Sequence, residues 1–366
     1  MKIGLVIYGS LDTLSGGYLY DRKLVEYLRT QGDTVEVISL PWRNYAAHLT
    51  DNIHFRLPVS NVIASGAKQS PTQQKFDILI QDELNHPSLI AANAGKHPHP
   101  IISLVHHLRC SEFRPRWQNA IYRMVEKKYL QSVDGFIFNS QTTERVVNSL
   151  IENSMPSVLA YPPTDRFGNP IPEQEIIERA KSTQLRILFL GNVINRKGLH
   201  TLLDALLILQ PSQFILDIVG SLSSEPDYAK KMQDFVTTLN LSSFVFLHGP
   251  LDNEPLKQML RQSHILVVPS RYEGFGIVYL EGMCFGLPAL GTTAGAASEI
   301  ISDGVDGFLI NPGDVHLLAS RLKALAEKRE VLVRMSLAAR ERYLRQPRWE
   351  ETAHEIRAFM ISMLNT

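Results

Sequence analysis

Residues 265–290, ILVVPSRYEGFGIVYLEGMCFGLPAL, contain a short apolar run, a loop, a helical pattern and a second apolar run. The runs Ile265–Val268 and Pro288–Leu290 have the length of buried strands, and the segment Phe275–Phe285 between them has the length of a helix. A strand, a helix and a second strand in this order form a βαβ unit, from which parallel sheets are built. This stretch therefore predicts an α/β fold.

The same alternation of strand and helix continues in both directions along the chain. The first half has predicted strands at Ile3–Tyr8, Thr34–Leu40, Asp77–Ile80, Ile101–Val105, Gly135–Phe138 and Val158–Ala160. The second half adds Arg186–Leu190, Phe214–Val219, Val245–Leu247 and Gly307–Ile310 to the two strands above. The predicted helices include Gly17–Thr30, Gln118–Gln131, Gly198–Leu209, Asp227–Leu239 and Glu254–Gln262. Both halves are predicted to be Rossmann-like, with ligands outside the carboxyl ends of the strands.

The length of the chain favours two domains, because a single core usually stops growing at about 250–300 residues and this chain has 366. Residues 161–174, YPPTDRFGNPIPEQ, contain four prolines and interrupt the pattern, which is typical of an inter-domain linker. We predict one domain at residues 1–168 and a second at 175–345. The polar segment 65–75 predicts a flexible insertion in the first domain.

Composition excludes several classes of protein. Lys plus Arg and Asp plus Glu are equal at 37 each, which argues against a nucleic-acid-coating protein. The two cysteines form no CxxC pair, so reduced thiols and a cytoplasmic location are expected. The apolar N-terminal run is too short for a signal peptide, and no apolar stretch is long enough for a transmembrane helix.

Two glutamates in the opening stretch are candidates for sugar and ribose binding. Glu273 lies in the loop, and Glu281 follows eight positions later within the predicted helix. Gly274 and Gly276 allow a ligand to approach the backbone closely, and free N–H groups at a helix start suit a phosphate. A carboxylate can accept both hydrogens of a ribose diol. Helix capping by a single glutamate is the alternative.

Two further strand-to-helix loops in the second half carry polar residues. Arg196 and Lys197 follow the strand that ends at Leu190, where basic side chains can neutralise a pyrophosphate. An ordinary solvated surface is the alternative. Gly295 and Glu299 occupy the next such turn, GAASE at residues 295–299.

The first half carries candidates in the same topological positions. Gly16 and Gly17 close the first strand-to-helix loop, which is too long for the GxGxxG of dinucleotide binders. His106 and His107 follow the strand that ends at Val105, and Ser140 favours a helix N-cap over a nucleophile. The sequence shows neither a GxSxG elbow nor a metal-type spacing, so we predict no metal and no cofactor.

The motif PSxxEGFGxxxLEGMxxGxP at residues 269–288, with Gly295, Glu299 and DGVDGFLINPGD at 303–314, resembles glycosyltransferase family 4. The resemblance covers nearly the whole chain. It implies a GT-B fold of two Rossmann-like domains facing across a cleft, with donor nucleotide held by the second. It also implies that the final helix, residues 349–366, returns to the first, acceptor-side domain.

The resemblance also implies roles for individual residues. Glu281 would hold the donor ribose, and Glu273 would contact the donor sugar beside the backbone of Gly274, Phe275 and Gly276. Lys197 would neutralise the diphosphate, which Gly16 and Gly17 would approach from the first domain. His106 would line the sugar pocket near the anomeric carbon, and Glu299 would belong to the nucleotide pocket.

Two positions depart from the family pattern. Asn192 follows Gly191, where the family usually has an arginine that shares the phosphate contact with the lysine. We hypothesise that Arg196 replaces it. Pro163, Thr164 and Asp165 replace the usual Asn-Gly-Val-Asp after the linker strand, which concerns the acceptor side and the hinge.

The expected activity is metal-independent sugar transfer from a nucleotide-diphosphate sugar to a glycan or lipid-linked acceptor, with retention of configuration, as in building cell-envelope polysaccharide. A front-face substitution is expected, because no carboxylate is clearly placed as a nucleophile. The alternatives are a nucleotide-sugar epimerase of the same fold and a non-catalytic nucleotide-binding or scaffold protein. A dehydrogenase is disfavoured because the dinucleotide fingerprint is missing.

Residues 109–128 combine six basic side chains with Trp117, Ile121, Tyr122 and Val125. A basic amphipathic helix can lie on an anionic membrane, which would place the protein peripherally on the inner face of the membrane. The alternative, which the sequence favours, is a helix that packs its apolar stripe on the sheet.

Overall fold

The computed structural model describes residues 1–13, 15–54, 76–95, 97–152, 155–209 and 213–365. The chain divides into two compact units. The first unit comprises residues 1–163 and 347–366, and the second comprises residues 164–346. The insertion predicted at 65–75 lies outside the described residues.

The first unit contains a parallel sheet. Among its described residues, the strands are β1 (Lys2–Tyr8), β2 (Thr34–Leu40), β3 (Ile78–Asp82), β4 (Ile101–Val105), β5 (Gly135–Phe138) and β6 (Ser157–Leu159). Their order across the sheet is β2-β1-β3-β4-β5-β6, and every pair of neighbours is parallel. The carboxyl ends of β3 and β4 are therefore adjacent, and so are those of β1 and β3.

The second unit contains a second parallel sheet. Its described strands are β7 (Leu185–Leu190), β8 (Phe214–Val219), β9 (Val245–Gly249), β10 (Ile265–Val267), β11 (Ala289–Thr292) and β12 (Gly307–Ile310). The order is β12-β11-β10-β7-β8-β9, again with parallel neighbours. Strands β11, β10 and β7, which precede the three predicted donor-binding loops, are therefore neighbours.

Helices connect the strands in both units. In the first unit they are α1 (Gly16–Thr30), α2 (Tyr45–Leu49), α3 (Asp51–His54), α4 (His86–Leu89), α5 (Arg116–Leu130) and α6 (Gln141–Ile151). In the second they are α7 (Glu173–Arg179), α8 (Leu199–Leu206), α9 (Pro226–Thr238), α10 (Asn253–Gln262), α11 (Ile277–Cys284), α12 (Val315–Glu327) and α13 (Arg329–Leu344). Helix α14 (Trp349–Leu364) belongs to the first unit.

Side chains cover both faces of the first sheet, as is usual for parallel sheets. Along β1, Ile3 and Leu5 point to one hydrophobic cluster, while Val6 points to the other. The first of these clusters also contains Leu24 of α1 and Ile356 of α14. The last helix therefore completes the core of the first unit.

Helix α11 begins two residues later than predicted. Gly276 has a φ of 97°, a left-handed conformation that helical residues do not adopt, and it forms the N-cap. A Cβ at this position would lie 2.6 Å from the Tyr279 ring. The predicted helix start at Phe275 is therefore wrong, and Glu273 to Gly276 form a loop.

The described helices include none that is long and apolar enough to cross a membrane. Cys110 and Cys284 are both free thiols.

Candidate functional site

The topology of the second unit brings the three predicted donor loops to one edge of its sheet. Asn192 and the short 3-10 helix Asn195–Lys197 follow β7, and Glu273 follows β10. The 3-10 helix Ala296–Glu299 follows β11. Because these strands are parallel neighbours, their carboxyl ends and the loops beyond them lie side by side.

Glu273 is buried and lies at the centre of a charged cluster. The Lys197 ammonium donates to Glu273 Oε2 at 2.6 Å, and the Ser270 hydroxyl donates to the same oxygen at 3.1 Å. Arg196 Nη1 lies 4.0 Å from Glu273 Oε1 and donates to the Tyr272 carbonyl at 2.8 Å. Two cations that the sequence assigned to phosphate binding thus surround the carboxylate that it assigned to sugar binding.

Burial and charge act in opposite directions on this cluster. Burial disfavours the ionised form of Glu273, but the charges of Lys197 and Arg196, with the hydrogen bonds from Lys197 and Ser270, outweigh it and lower the pKa of Glu273. Burial lowers the pKa of Lys197, and the Glu273 charge partly offsets that effect. Near neutral pH the ionised Glu273 therefore sits beside positively charged groups.

Gly295 fixes the third loop against Glu273. The Ala296 N–H donates to the Glu273 carbonyl at 2.8 Å, and a Cβ on Gly295 would lie 2.0 Å from that carbonyl oxygen. Gly295 also has a φ of 88°, which favours glycine. The approach of the two loops therefore depends on glycine at this position.

Glu281 lies in α11, with 4% of its side chain exposed. Arg166 Nη1 donates to Glu281 Oε1 at 2.6 Å, from the 3-10 helix Asp165–Phe167. Burial raises the pKa of Glu281, and the adjacent Arg166 charge partly offsets this rise. Glu281 Oε2 has no hydrogen-bond partner among the described residues.

Asn192 and Glu299, beyond the ends of β7 and β11, accept hydrogen bonds from residues outside the donor loops. The Ser221 N–H donates to Asn192 Oδ1 at 3.4 Å, and Arg342 donates to the Glu299 carbonyl at 3.2 Å. Glu299 is the last residue of the 3-10 helix Ala296–Glu299, and Gly295 is the N-cap of that helix.

The predicted residues of the first unit also lie together. Gly16 and Gly17 begin α1, and a Cβ on Gly17 would approach the His106 ring to 3.2 Å. His106 Nε2 lies 3.1 Å from Oδ1 of the fully buried Asp21, one turn further along α1. The Tyr20 ring packs edge-on against the same imidazole.

Buried carboxylates determine the charge of His106. Burial opposes protonation of the imidazole, but Asp21, Asp82 and Glu83 outweigh it and raise the pKa of His106 to about 9. Burial and the Asp21 charge raise the pKa of Asp82 to about 7. His106 is therefore an imidazolium at neutral pH.

Among the described residues of the first unit, two groups have ligand atoms close enough to hold a metal ion. One comprises Asp21, Asp82 and His106; the other comprises Glu83, His86 and Glu126. Spacing in the sequence did not indicate them because their members come from separate elements. In the second group, backbone N–H groups of Arg109 and Cys110 already donate to Glu126.

Sequence reasoning missed three of these side chains. Arg166 falls in the predicted linker, Ser270 precedes the Glu273 motif, and Asp21 lies inside a predicted helix. Asp21 could have been found from the sequence, because it is a charged residue among Tyr20, Leu24 and Val25, the positions of α1 that pack inward.

Residues 171–342 match the family model described as "Glycosyl transferases group 1". The matched residues all lie within the second unit. D-rhamnosyltransferase WbpZ of Pseudomonas aeruginosa is 29% identical over 266 residues, covering 67% of each chain. The chain spans about half the length of other curated relatives, at 54%, 46% and 57% for three of them. These matches support the prediction of a transferase enzyme.

Solved structures show the same fold over the whole chain. Sucrose-phosphate synthase from Thermosynechococcus elongatus has a TM-score of 0.79 at 19% identity and covers 100% of this chain and 99% of its own. Anabaena HepE in complex with UDP-glucose has a TM-score of 0.75 at 19% identity, covering 99% of this chain and 100% of its own. The predicted α/β, GT-B class with two Rossmann-like halves is confirmed. At this identity the likeness concerns the fold alone.

Proposed function

We propose that this protein is a retaining, metal-independent glycosyltransferase that moves a sugar from a nucleotide-diphosphate sugar to a glycan or lipid-linked acceptor. The observation that carries the proposal is the cluster of Lys197, Arg196 and Glu273 at the carboxyl edge of the second sheet, within the residues that match the family model. The buried carboxylate of Glu281 lies on the helix that follows, α11. A nucleotide-diphosphate sugar requires cations for its diphosphate. It also requires one carboxylate that accepts from the sugar hydroxyls and another that accepts from the ribose hydroxyls.

Each end of the donor has a group suited to it. Glu281 accepts hydrogens from the ribose hydroxyls, and Glu273 accepts from hydroxyls of the transferred sugar. Lys197 and Arg196 then face the diphosphate between them. HepE was solved in complex with UDP-glucose, which makes a uridine nucleotide the first donor to test.

The reaction breaks the bond between the anomeric carbon and the diphosphate oxygen and forms a bond from the acceptor oxygen on the same face. The acceptor proton passes to the leaving phosphate oxygen. Lys197 and Arg196 stabilise the negative charge that develops there, which is the role that a divalent ion has in metal-dependent transfer. Glu273 is held by these cations and by Ser270, so it serves to position the sugar and not to attack it.

His106, Gly16 and Gly17 complete the proposal as residues of the first unit. The imidazolium of His106, whose Nε2 faces Asp21, would donate from Nδ1 to a sugar hydroxyl, and Gly16 and Gly17, which lack side chains, leave the start of α1 open to a phosphate.

A lipid-linked acceptor is supported by the surface of α5, which we call the α5 surface: Arg116, Trp117, Ile121, Arg123, Met124 and Lys128. The sequence favours a helix whose apolar residues pack on the sheet. Val125 is buried in this way, but Trp117, Ile121 and Met124 are 64%, 45% and 63% exposed. Exposed apolar side chains with basic residues beside them suit the interface of an anionic membrane. A peripheral position on the inner, cytoplasmic face of the membrane is part of this proposal.

Thermal unfolding with UDP, GDP, ADP, CDP or TDP tests the function. A ligand that binds only the folded state adds about 2.7 kcal/mol of stability at a hundredfold excess over its Kd. We expect one nucleotide to raise Tm, and Glu281→Ala to abolish the shift. Sugar nucleotides of that base then identify the donor. If none of the five changes Tm at millimolar concentration, the proposal is wrong.

A further inference from the structure

The residue that follows the segment Pro163–Asp165 contributes a side chain to the proposed donor site. Arg166 lies directly after Asp165 and reaches Glu281, 115 positions later in the chain. Both residues belong to the second unit. The contact therefore belongs to a single compact unit.

Three contacts fix the Arg166 guanidinium. Nη1 donates to Glu281 Oε1 at 2.6 Å, and Nη2 donates to Asn253 Oδ1, on the first residue of α10, at 2.8 Å. The guanidinium also lies over the Phe167 ring, 4.8 Å from its centroid, and Phe167 packs edge-on against Phe285. A planar cation held on both edges and one face has little freedom to leave the carboxylate.

The bonding pattern leaves Glu281 suited to its proposed ligand. Arg166 takes Oε1, whereas Oε2 has no hydrogen-bond partner among the described residues. A carboxylate accepts hydroxyl hydrogens strongly only when it is ionised, since the protonated form carries a hydrogen on one oxygen. We propose that Arg166 is a positioning residue of the donor site, which keeps the Glu281 carboxylate ionised and oriented to accept the ribose hydroxyls.

The electrostatics around Glu281 agree with this geometry. Burial raises the pKa of Glu281, and Arg166 is the charged group that counteracts the rise. The neutral Asn253 faces Arg166 from α10, and the Cys284 thiol follows in α11 with a pKa raised by burial and by the Glu281 charge. Loss of the guanidinium therefore raises the pKa of Glu281 further. The inference rests on the proposed function, because it assigns ribose to Glu281.

The test compares nucleotide affinity across pH for wild type and Arg166→Gln. The probes are UDP, GDP, ADP and CDP with their 2′,3′-dideoxy forms, titrated by calorimetry between pH 5.5 and 8.5. We divide the Kd of Arg166→Gln by the Kd of wild type at each pH, because this ratio cancels the effect of titration of the ligand phosphate. We expect a ratio of about 3 at pH 8.5 that rises tenfold or more by pH 5.5, because affinity carried by an ionised group falls about tenfold per pH unit below its pKa. With dideoxy ligands the ratio should stay near 1.

Two variants separate this role from general destabilisation. Arg166→Lys keeps the positive charge, so the ratio of its Kd to that of wild type should not change with pH. Arg186→Gln removes a matched arginine, 32% exposed like Arg166, from the buried Asp217 of the same unit. It should leave the pH profile of nucleotide binding unchanged. Thermal unfolding confirms that each variant is folded.

Three results would overturn the inference. One is a ratio that stays flat with pH for the ribonucleotide. Another is a ratio equal for ribo and dideoxy ligands, which indicates contact with phosphate or base instead. Either leaves nucleotide binding, and the proposed function, intact. The third is a wild-type protein that binds none of the four nucleotides, because Glu281 then has no ribose to bind.

Discussion

The Lys197 ammonium and the Glu273 carboxylate, 76 positions apart, are joined by a hydrogen bond of 2.6 Å at the carboxyl edge of the second sheet. Each is almost buried, at 12% and 10% side-chain exposure. Removing one partner from such a pair leaves an uncompensated charge in the interior.

Lys197→Met should therefore lower the free energy of unfolding by about 3 kcal/mol. The double variant Lys197→Met with Glu273→Gln should recover most of that loss, while nucleoside diphosphate binding stays weak in both, because the cation is missing from both. Urea unfolding and calorimetry measure the two effects. If the two single substitutions are simply additive in stability, the pair is not coupled.

Arg196→Ala tests whether this side chain takes the phosphate role that Asn192 lacks. Its guanidinium already faces the cluster, 4.0 Å from Glu273. We expect about tenfold weaker donor binding, since a hydrogen bond to a charged group contributes about 1.5–3 kcal/mol. The nucleoside alone should bind as before. Donor kinetics and calorimetry decide, and an unchanged donor affinity would falsify the hypothesis.

Gly295→Ala should prevent the approach of the third loop to Glu273. The new Cβ would lie 2.0 Å from the Glu273 carbonyl oxygen, so backbone must move. Gly304→Ala is the matched control, because Gly304 also has a positive φ, of 76°, but no heavy atom within 4 Å. We expect the control to lose about 1–2 kcal/mol from backbone strain and Gly295→Ala to lose more, together with nucleotide binding. Equal losses by urea unfolding contradict the assignment.

The pair of His106 and Asp21 predicts a dependence of stability on pH. The pKa of His106 is raised to about 9 from an ordinary value near 6.5, so the folded state favours the imidazolium. The resulting stabilisation is complete below about pH 6.5 and is lost as pH rises through about 9. Its full size is about 3 kcal/mol.

Asp21→Asn should lower the pKa of His106 and flatten that dependence. The charges that remain around His106 are those of Asp82 and Glu83. Titration of labelled histidines by NMR reports the pKa, with His107→Gln to assign the neighbouring resonance. A His106 pKa that is the same in Asp21→Asn as in wild type refutes the coupling.

The α5 surface predicts binding to anionic vesicles at low salt. Basic residues near such a membrane contribute about 1 kcal/mol each, so Arg116→Glu with Arg123→Glu should weaken partitioning roughly 30-fold or more. Lys230→Glu with Lys323→Glu changes the net charge equally, at exposed positions of the second unit, and should have little effect. Co-sedimentation measures both. Equal losses would indicate a general effect of charge, not a surface on α5.

The strands could be predicted well because buried parallel strands are continuous apolar runs. Thr34–Leu40 and Phe214–Val219 have the predicted bounds in the structure. The start of α11 could not be predicted, since it depends on the left-handed Gly276. The contacts of Arg166 with Glu281 and of Asp21 with His106 join residues 115 and 85 positions apart, and no periodicity in the sequence reports such a pairing.

The first unit is built from two separate parts of the chain, since α14 returns to it after the whole of residues 164–346. At a synthesis rate of about 5–20 residues per second, the roughly 320 residues between α1 and α14 take about 16–64 s to synthesise, and the apolar face of α1 stays uncovered by α14 during that time. The second unit is continuous and can fold during that delay. The first unit therefore exposes apolar surface during synthesis for longer than the second.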